Sequence, residues 1–134
     1  MPKDAINPPT LFPSVPHGFS QVAVCRGART VHVSGQTAWD ATRTVVGGRD
    51  LGEQARQALR NIRAALGEAG GSLADVVSLR IYIVDYQPDK AAAISAALRA
   101  FFPGDSPPAS TWIGVSALAS EDFLVEIEAV ASID

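Results

Sequence analysis

Cysteine and histidine are scarce in this sequence, which has one cysteine and two histidines in 134 residues. The single Cys25 excludes an internal disulfide and a cysteine-based zinc site, and it is consistent with a reducing cytoplasm. His17 and His32 are too few to predict a dedicated metal centre. Neither histidine has neighbours that mark it as a catalytic base, so no Ser-His-Asp arrangement is predicted. We therefore expect a cytoplasmic protein that binds no metal.

Long apolar runs and clusters of basic residues are also missing. No segment approaches membrane-spanning length, and the N-terminal residues lack the apolar core of a signal peptide. Eleven Lys and Arg against fourteen Asp and Glu give a net charge of −3, with the basic residues scattered along the chain. This balance disfavours nucleic acid as a partner. No glycine-rich phosphate loop is present either. The sequence therefore predicts no membrane or nucleic-acid partner.

What the chain does have is a large apolar fraction in a short length. The 134 residues are enough for one domain with a real core, over residues 1–134, and too few for two. Hydrophobic residues make up 47% and charged residues 19%, which is more apolar surface than a monomer of this size usually hides. The composition therefore favours an oligomer. Pro8, Pro9, Pro13 and Pro16 predict that residues 1–18 form an extended segment.

Hydrophobic periodicity and turn residues predict five strands and two helices. Asp50 and Glu53 resemble a capping box at the start of the first helix, and Gly70 ends it. Residues 90–102 form the second helix, while 36–48 read as a loop. The predicted strands cover residues 22–26, 30–34, 76–84, 109–115 and 123–131.

The order of these elements, β-β-α-β-α-β-β, predicts an α+β fold with both helices on one face of a mixed sheet. Gly27-Ala28 is a plausible hairpin turn between the first two strands, and the loop at 116–123 a plausible hairpin connection between the last two. The strand at 76–84 is apolar enough to be central and covered on both faces.

The last strand carries two carboxylates in an otherwise apolar run. Glu126 and Glu128 are two residues apart, so they share one face of the strand, opposite Val125 and Ile127. Charged side chains in such a run are costly unless they are solvated, paired or used. This strand therefore has either a solvent-exposed face or a polar site. An ion pair between Glu128 and Arg80 of the central strand is one way to satisfy the second carboxylate.

Four segments of the chain form a recognisable series. They are Ser-Gly-Gln at 34–36, Glu-Gln-Ala-Arg-Gln-Ala-Leu-Arg-Asn-Ile at 53–62, Ala-Phe-Phe-Pro at 100–103 and Val-Glu-Ile-Glu-Ala-Val-Ala at 125–131. In this order, and over roughly residues 18–132, they resemble the RidA/YjgF family, also called the endoribonuclease L-PSP family. The resemblance implies a chorismate-mutase-like fold, a homotrimer with clefts between its subunits, and no cofactor. It also implies the family's best-known activity, hydrolysis of reactive enamines and imines to a 2-oxo acid and ammonia.

Carrying the family's pocket onto this chain reveals departures at Phe19, Ser95, Ser110 and Trp112, and the one at Ser110 bears most on substrate binding. In the family, an Arg in a Pro-Ala-Arg motif holds the substrate carboxylate, as a bidentate guanidinium does well. The same stretch here reads Pro108-Ala109-Ser110, so Ser110 takes the place of the Arg. Turnover of 2-iminopropanoate is therefore doubtful. The resemblance implies a catalytic residue, Glu126, and substrate-binding residues Phe19, Gly35, Ser95, Ser110 and Trp112.

Several candidate residues also have a purely structural interpretation. Glu126 is either the acid/base of the cleft or a structural carboxylate that accepts backbone hydrogen bonds across the subunit interface. Trp112 either stacks on a flatter, less anionic ligand or fills the pocket and abolishes binding. Phe19 is more often a packing residue than a catalytic one, and Cys25 is expected to be a buried small hydrophobe.

Three functions follow from these alternatives. The first is an imine or enamine hydrolase; the second is a trimer that binds a small metabolite without turnover. The third, RNA cleavage, is the weakest because the chain is acidic and shows no catalytic histidine pair. A basic residue from a neighbouring subunit is one way to replace the missing positive charge, and the loop residues Arg29, Arg43 and Arg49 are the candidates.

Overall fold

A four-stranded mixed sheet that carries both helices on one face forms the centre of the molecule. The computed structural model describes residues 3–134. Short 3-10 turns at Val15–His17, Leu73–Asp75 and Pro88–Lys90 connect the longer elements. These elements are β1 (Lys3–Ile6), β2 (Val22–Cys25), β3 (Arg29–Gln36), α1 (Leu51–Glu68), β4 (Val76–Val84), α2 (Ala91–Phe101), β5 (Ala109–Val115) and β6 (Val125–Ile133).

The sheet has the strand order β3-β6-β4-β5, and β1 pairs with β2 in a separate two-stranded sheet. Strands β4 and β5 are parallel, while β6 runs antiparallel to both β3 and β4. The predicted α+β fold, with two helices on one face of a mixed sheet, is confirmed. Both predicted hairpins are wrong. Strand β2 turns away to pair with β1, and β4 lies between β5 and β6 because the helical crossover through α2 makes β5 parallel to β4.

The core lies between the helices and the face of the sheet that they cover. Asp50 caps α1 by accepting a hydrogen bond from the backbone N–H of Glu53. Alternate residues of β4 and β6 then point into the core, and β4 is central, as predicted. Its other face is not covered within one protomer, since Arg80 is exposed there. The largest fully buried aliphatic side chains are those of Leu59, Ile62, Leu66, Leu79, Ile81, Ile83, Ile94, Leu98 and Ile127.

Strand β1 begins within the segment predicted to be extended, and a buried lysine holds it against the main sheet. Lys3 donates a hydrogen bond of 2.6 Å from Nζ to the carbonyl oxygen of Val76. Burial lowers the pKa of the Lys3 ammonium, and the negative charge of Asp75 opposes this only in part. Cys25, at the end of β2, is exposed rather than buried. The reason is that no helix covers the two-stranded sheet.

One buried side chain of α1 fixes the start of β6. Gln54 is 0% exposed. Its amide nitrogen donates to the carbonyl oxygens of Gly48 at 2.7 Å and Asp122 at 2.9 Å. Its amide oxygen accepts a 2.9 Å hydrogen bond from the backbone N–H of Leu124, two residues before Glu126. The helix therefore sets where the last strand begins.

A second amide, Asn61, lies two turns further along α1 and holds the chain after β3. Its nitrogen donates to the carbonyl oxygens of Thr37 and Trp39, both at 2.9 Å. Gln54 and Asn61 together anchor the ends of β3 and β6 to one helix. Within residues 3–134, no helix is long and apolar enough to span a lipid bilayer.

Substituting Gln54 by Leu removes three hydrogen bonds while it keeps the buried volume similar. We expect the free energy of unfolding to fall by about 3 kcal/mol, because two carbonyls and one N–H lose their partners inside the protein. Chemical denaturation measures the change. Gln57→Leu is the matched control, since Gln57 bonds only to Asn61 and Arg60 of the same helix. It is expected to cost about 0.5 kcal/mol. Equal losses in the two variants would contradict the anchoring role.

Candidate functional site

The two faces of the main sheet carry different chemistry. One face packs against the helices; the other, here called the open face, has no helix over it and carries polar side chains. Glu126 lies opposite Tyr82 in the pairing of β6 with β4, and Glu128 lies opposite Arg80. All four side chains therefore point to the open face, whereas the buried residues between them point to the helices. The predicted alternation along β6 is confirmed by this burial pattern.

Glu126 and Gly35 form one part of the candidate site, here called the carboxylate half-site. The pairing of β3 with β6 shifts register between Val33 and Gln36, and Gly35 lies in this irregular stretch. A Cβ atom added to Gly35 would lie 2.7 Å from the carboxyl carbon of Glu126 and 2.9 Å from its Cγ. The Glu126 side chain therefore packs directly on the Gly35 backbone, in space that only a glycine leaves free.

Glu126 is half-buried, and no protein group in residues 3–134 donates a hydrogen bond to its carboxylate. This carboxylate is thus positioned by packing and by strand pairing rather than by a partner in its own protomer. A group so placed has both oxygens free to accept hydrogen bonds from a water molecule or a ligand.

Phe19, Ser95, Ser110 and Trp112 form the other part, here called the aromatic half-site. Ser110 and Trp112 pair with Leu79 and Ile81, whose side chains point to the helices, so both project to the helix face at the edge strand β5. The Trp112 indole Nε1–H donates to the Ser110 hydroxyl at 3.1 Å. The ring centroids of Phe19 and Trp112 are 6.1 Å apart in an edge-to-face arrangement.

The backbone before Phe19 lies close against α2, the helix that carries Ser95. Gly18 has a φ of +100°, and a Cβ there would lie 2.7 Å from the Leu98 Cβ and 3.4 Å from the Ser95 carbonyl oxygen. Only glycine combines this conformation with this contact. After the turn, Ser20 forms a parallel bridge with Ala109 and so extends the sheet beside β5. Ser95 is buried under this turn.

The two half-sites do not meet within one protomer. Gly35 lies on the edge strand β3 and Trp112 on the opposite edge strand β5, with β6 and β4 between them. Three strand spacings separate these edges by about 14 Å. The Glu126 carboxylate and the Trp112 ring also lie on opposite faces of the sheet. The six predicted site residues therefore fall into a group of two and a group of four.

Sequence reasoning missed the role of Tyr82 and gave Glu128 the wrong partner. The Tyr82 hydroxyl donates a short hydrogen bond to Glu128. The predicted ion pair between Glu128 and Arg80 is not formed among the described residues, although the two lie directly opposite each other. The hydrogen bond to Glu128 raises the pKa of Tyr82, burial adds to this, and the Arg80 charge acts against it. The sequence held one indication of this: Arg80 and Tyr82 are two residues apart, so both lie on the same face of β4.

A depression of about 470 Å³ lies next to these groups on the open face. It is lined by Arg80, Glu128 and His32, and it reaches Phe19 and Ser110 at the β5 edge. The other predicted site residues do not line it. Across residues 3–134, no cluster of three or more His, Cys, Asp or Glu side chains could hold a metal ion.

The loop arginines bond to the backbone or lie over a ring. Arg29 donates to the carbonyl oxygens of Ala69 and Asp134, and Arg49 donates to that of Glu121. Arg43 lies over the Trp39 ring, 5.9 Å from its centroid. None of these contacts brings a guanidinium to Ser110 of the same protomer.

Known proteins similar to this chain share its fold. The sequence profile described as Endoribonuclease L-PSP matches residues 12–133. The crystal structure of YyfB from Yersinia pestis, a protein of unknown function of the conserved Rid family, is 47% identical. It superposes with a TM-score of 0.95 over 99% of this chain and 100% of that one.

Two more distant structures extend the comparison. A YjgF-family member from Mycobacterium tuberculosis is 33% identical, with a TM-score of 0.66 over 98% of this chain and 99% of that one. TdcF from Escherichia coli, solved with bound serine, is 27% identical, with a TM-score of 0.70 over 83% of this chain and 88% of that one.

Substituting Gly35 by Ala tests the packing of Glu126 on the irregular stretch of β3. The new methyl group overlaps the Glu126 side chain, which can rotate away, so we expect a displaced carboxylate with little loss of stability. A crystal structure of the variant measures the displacement. Gly67→Ala is the control, because nothing lies within 4 Å of a Cβ at that position. An unmoved Glu126 in Gly35→Ala would show that the proposed contact is absent.

The hydrogen bond between Tyr82 and Glu128 predicts a late titration. In a Tyr86→Phe background Tyr82 is the remaining tyrosine, and its ultraviolet titration should have a midpoint above the ordinary pKa of 10.0. Because the folded-state pKa is raised, this group's contribution to stability is present below pH 10 and is lost as pH rises through the folded-state pKa. Adding Glu128→Gln should lower the midpoint. A midpoint unaffected by that change would contradict the assignment.

Proposed function

Because the chain belongs to the endoribonuclease L-PSP family, also called the Rid/YjgF family, we propose that it is a homotrimeric hydrolase of small reactive imines or enamines. Each active site would combine the carboxylate half-site of one protomer with the aromatic half-site of its neighbour. The proposal requires no metal or organic cofactor, and it places the protein in the cytoplasm.

The observation that carries the proposal is that Glu126 and Trp112 lie on opposite faces of one sheet, with β4 between their strands. A single protomer cannot bring Glu126 to Trp112 without breaking the sheet. A cyclic arrangement of copies can, because it sets the β3 edge of one copy against the β5 edge of the next. The same arrangement would cover the edge of β5 beyond the Ser20–Ala109 bridge, and an uncovered strand edge is a liability in a monomer.

The chemistry asks the enzyme to add one water molecule across a C=N bond. The water oxygen bonds to the imine carbon, the nitrogen gains protons, and the C–N bond breaks to release ammonia and a 2-oxo acid. A carboxylate within hydrogen-bond reach of the water and of the nitrogen can take a proton from the first and give one to the second. Glu126 suits this role because it is half-buried and has no protein partner in its own protomer.

A second function, non-catalytic binding of a small metabolite by the same trimer, is favoured by one observation. The family resemblance assigns Ser110 to the position of the carboxylate-binding Arg, and the Ser110 hydroxyl already accepts a hydrogen bond from Trp112. Without a guanidinium there, a small anionic substrate would lose a charge-assisted, bidentate contact. The bound serine in the related TdcF structure favours a small, amino-acid-like ligand under either function.

Replacing Glu126 by Gln should distinguish the two functions. If Glu126 is the acid/base, turnover of imines generated in situ from amino acids by an oxidase should fall by about 100-fold or more. The fall should appear in kcat rather than in KM, because the amide keeps the size of the side chain and loses only its proton transfer.

Glu128→Gln is the matched control, since Glu128 lies on the same strand and the same face. Its turnover should stay close to that of the unmodified protein. Full activity of Glu126→Gln would exclude the proposed role, and equal losses in both variants would point to a general effect of charge on the open face. An unmodified protein that binds but does not turn over any imine would favour the second function.

A further inference from the structure

Four aromatic rings run in a row from the N-terminal segment to β5. The Phe12 ring contacts the rings of His17 and Phe19, with centroid distances of 5.8 and 5.9 Å. Phe19 in turn contacts Trp112 at 6.1 Å. These four residues, here called the aromatic row, include two of the predicted substrate-binding residues. Nothing in the family resemblance accounts for the row as a whole.

All four rings of the row remain at least partly exposed. The interplanar angles are 63°, 64° and 61°, so each contact is edge-to-face and no ring is stacked flat on its neighbour within the row. Phe12 is 57% exposed, and Phe19 and Trp112 are only partly buried. Phe12 also lines a depression of about 350 Å³, and Phe19 lines the one of about 470 Å³. Both volumes are sufficient for a molecule with one ring.

Trp112 is held in place before any ligand arrives. Its indole N–H is bonded to Ser110, and one side of its ring packs on the core. A large side chain that is already fixed loses little conformational entropy when it binds a ligand. The bond occupies the indole N–H of Trp112, so the ring has no free donor for a ligand carboxylate. The inner end of the row is therefore a rigid and largely apolar wall.

Positive charge lies at the outer end of the row instead. Arg99 of α2 donates from Nη1 to the carbonyl oxygen of Pro16 at 3.0 Å, one residue before His17. Arg99 is exposed, and its remaining N–H groups are available to an anion. A ligand with a ring at one end and a carboxylate at the other matches this distribution better than a small anion does.

We propose that the aromatic half-site selects ligands that carry a planar aromatic ring together with a carboxylate, such as the imines of aromatic amino acids, over small aliphatic ones. The location of the ligand rests on the proposed function. The class of ligand rests on the aromatic row and on the bond between Trp112 and Ser110.

Binding can be measured without turnover by using Trp112 itself. In a Trp39→Phe background, Trp112 is the remaining tryptophan. Its fluorescence is followed while 3-phenylpropanoate is added, and then propanoate, which has the same carboxylate and no ring. We expect a saturable change with 3-phenylpropanoate at a concentration at least tenfold lower than with propanoate. Equal midpoints for the two acids, or no change with either, would overturn the proposal.

Two variants separate ring recognition from a general loss of structure. Phe19→Leu keeps an apolar side chain but removes the central ring, and it should weaken 3-phenylpropanoate binding at least fivefold while propanoate binding stays unchanged. Phe123→Leu is the control, because Phe123 packs against Trp39 rather than against the aromatic row. Equal weakening of both acids in Phe19→Leu, or equal effects of the two variants, would contradict the assignment.

The turnover assay then separates this inference from the proposed function. If imines from phenylalanine are hydrolysed with a lower KM than imines from alanine, and Phe19→Leu raises only the former KM, both proposals are supported. If 3-phenylpropanoate binds selectively but no imine is hydrolysed, the hydrolase proposal fails and the ligand class stands. If alanine-derived imines are preferred, the ligand class fails and the hydrolase proposal stands.

Discussion

The alternation of side chains along a β-strand is the constraint on which the site depends. It sends Glu126 to the open face of the sheet and Trp112 to the helix face, and no loop movement within one chain can change that. The strand order then places β4 between the strand of Glu126 and the strand of Trp112. A pocket that needs both a carboxylate and an aromatic wall must therefore be built by two copies. Oligomerisation is, on this account, a condition for the chemistry and not only a source of stability.

The carboxylate half-site is positioned from the helix side of the sheet. Gln54 and Asn61 reach from one helix to the chain segments that flank β6 and β3, and the register shift near Gly35 then opens the space that Glu126 fills. The neighbouring Glu128 is held by Tyr82 instead. Two carboxylates on one face of one strand thus have different surroundings: one is tied to a hydroxyl, and the other is left free for a partner outside its own protomer.

The sequence was sufficient for both helices and for five of the six described strands, but it missed β1 and did not show which strands pair. Both helices, the central strand and the alternation along β6 followed from periodicity and capping, which are local properties. The two hairpins were wrong because a turn such as Gly27-Ala28 indicates that the chain reverses, not which strand pairs with which. The roles expected for Glu126 and Trp112 came from the family resemblance. Only the strand order showed that the sheet separates these two residues. The exposure of Cys25, and the choice of Tyr82 rather than Arg80 as the partner of Glu128, depended on tertiary contacts.

The shared site is tested most directly by mixing two variants, each inactive in its own homotrimer. Glu126→Gln disables the carboxylate half-site, and Phe19→Glu disables the aromatic half-site by placing a negative charge beside it. If neighbouring protomers build each site, every mixed trimer contains one intact site. An equal, random mixture should then recover about one quarter of the unmodified activity. A mixture as inactive as its two parents would contradict the account.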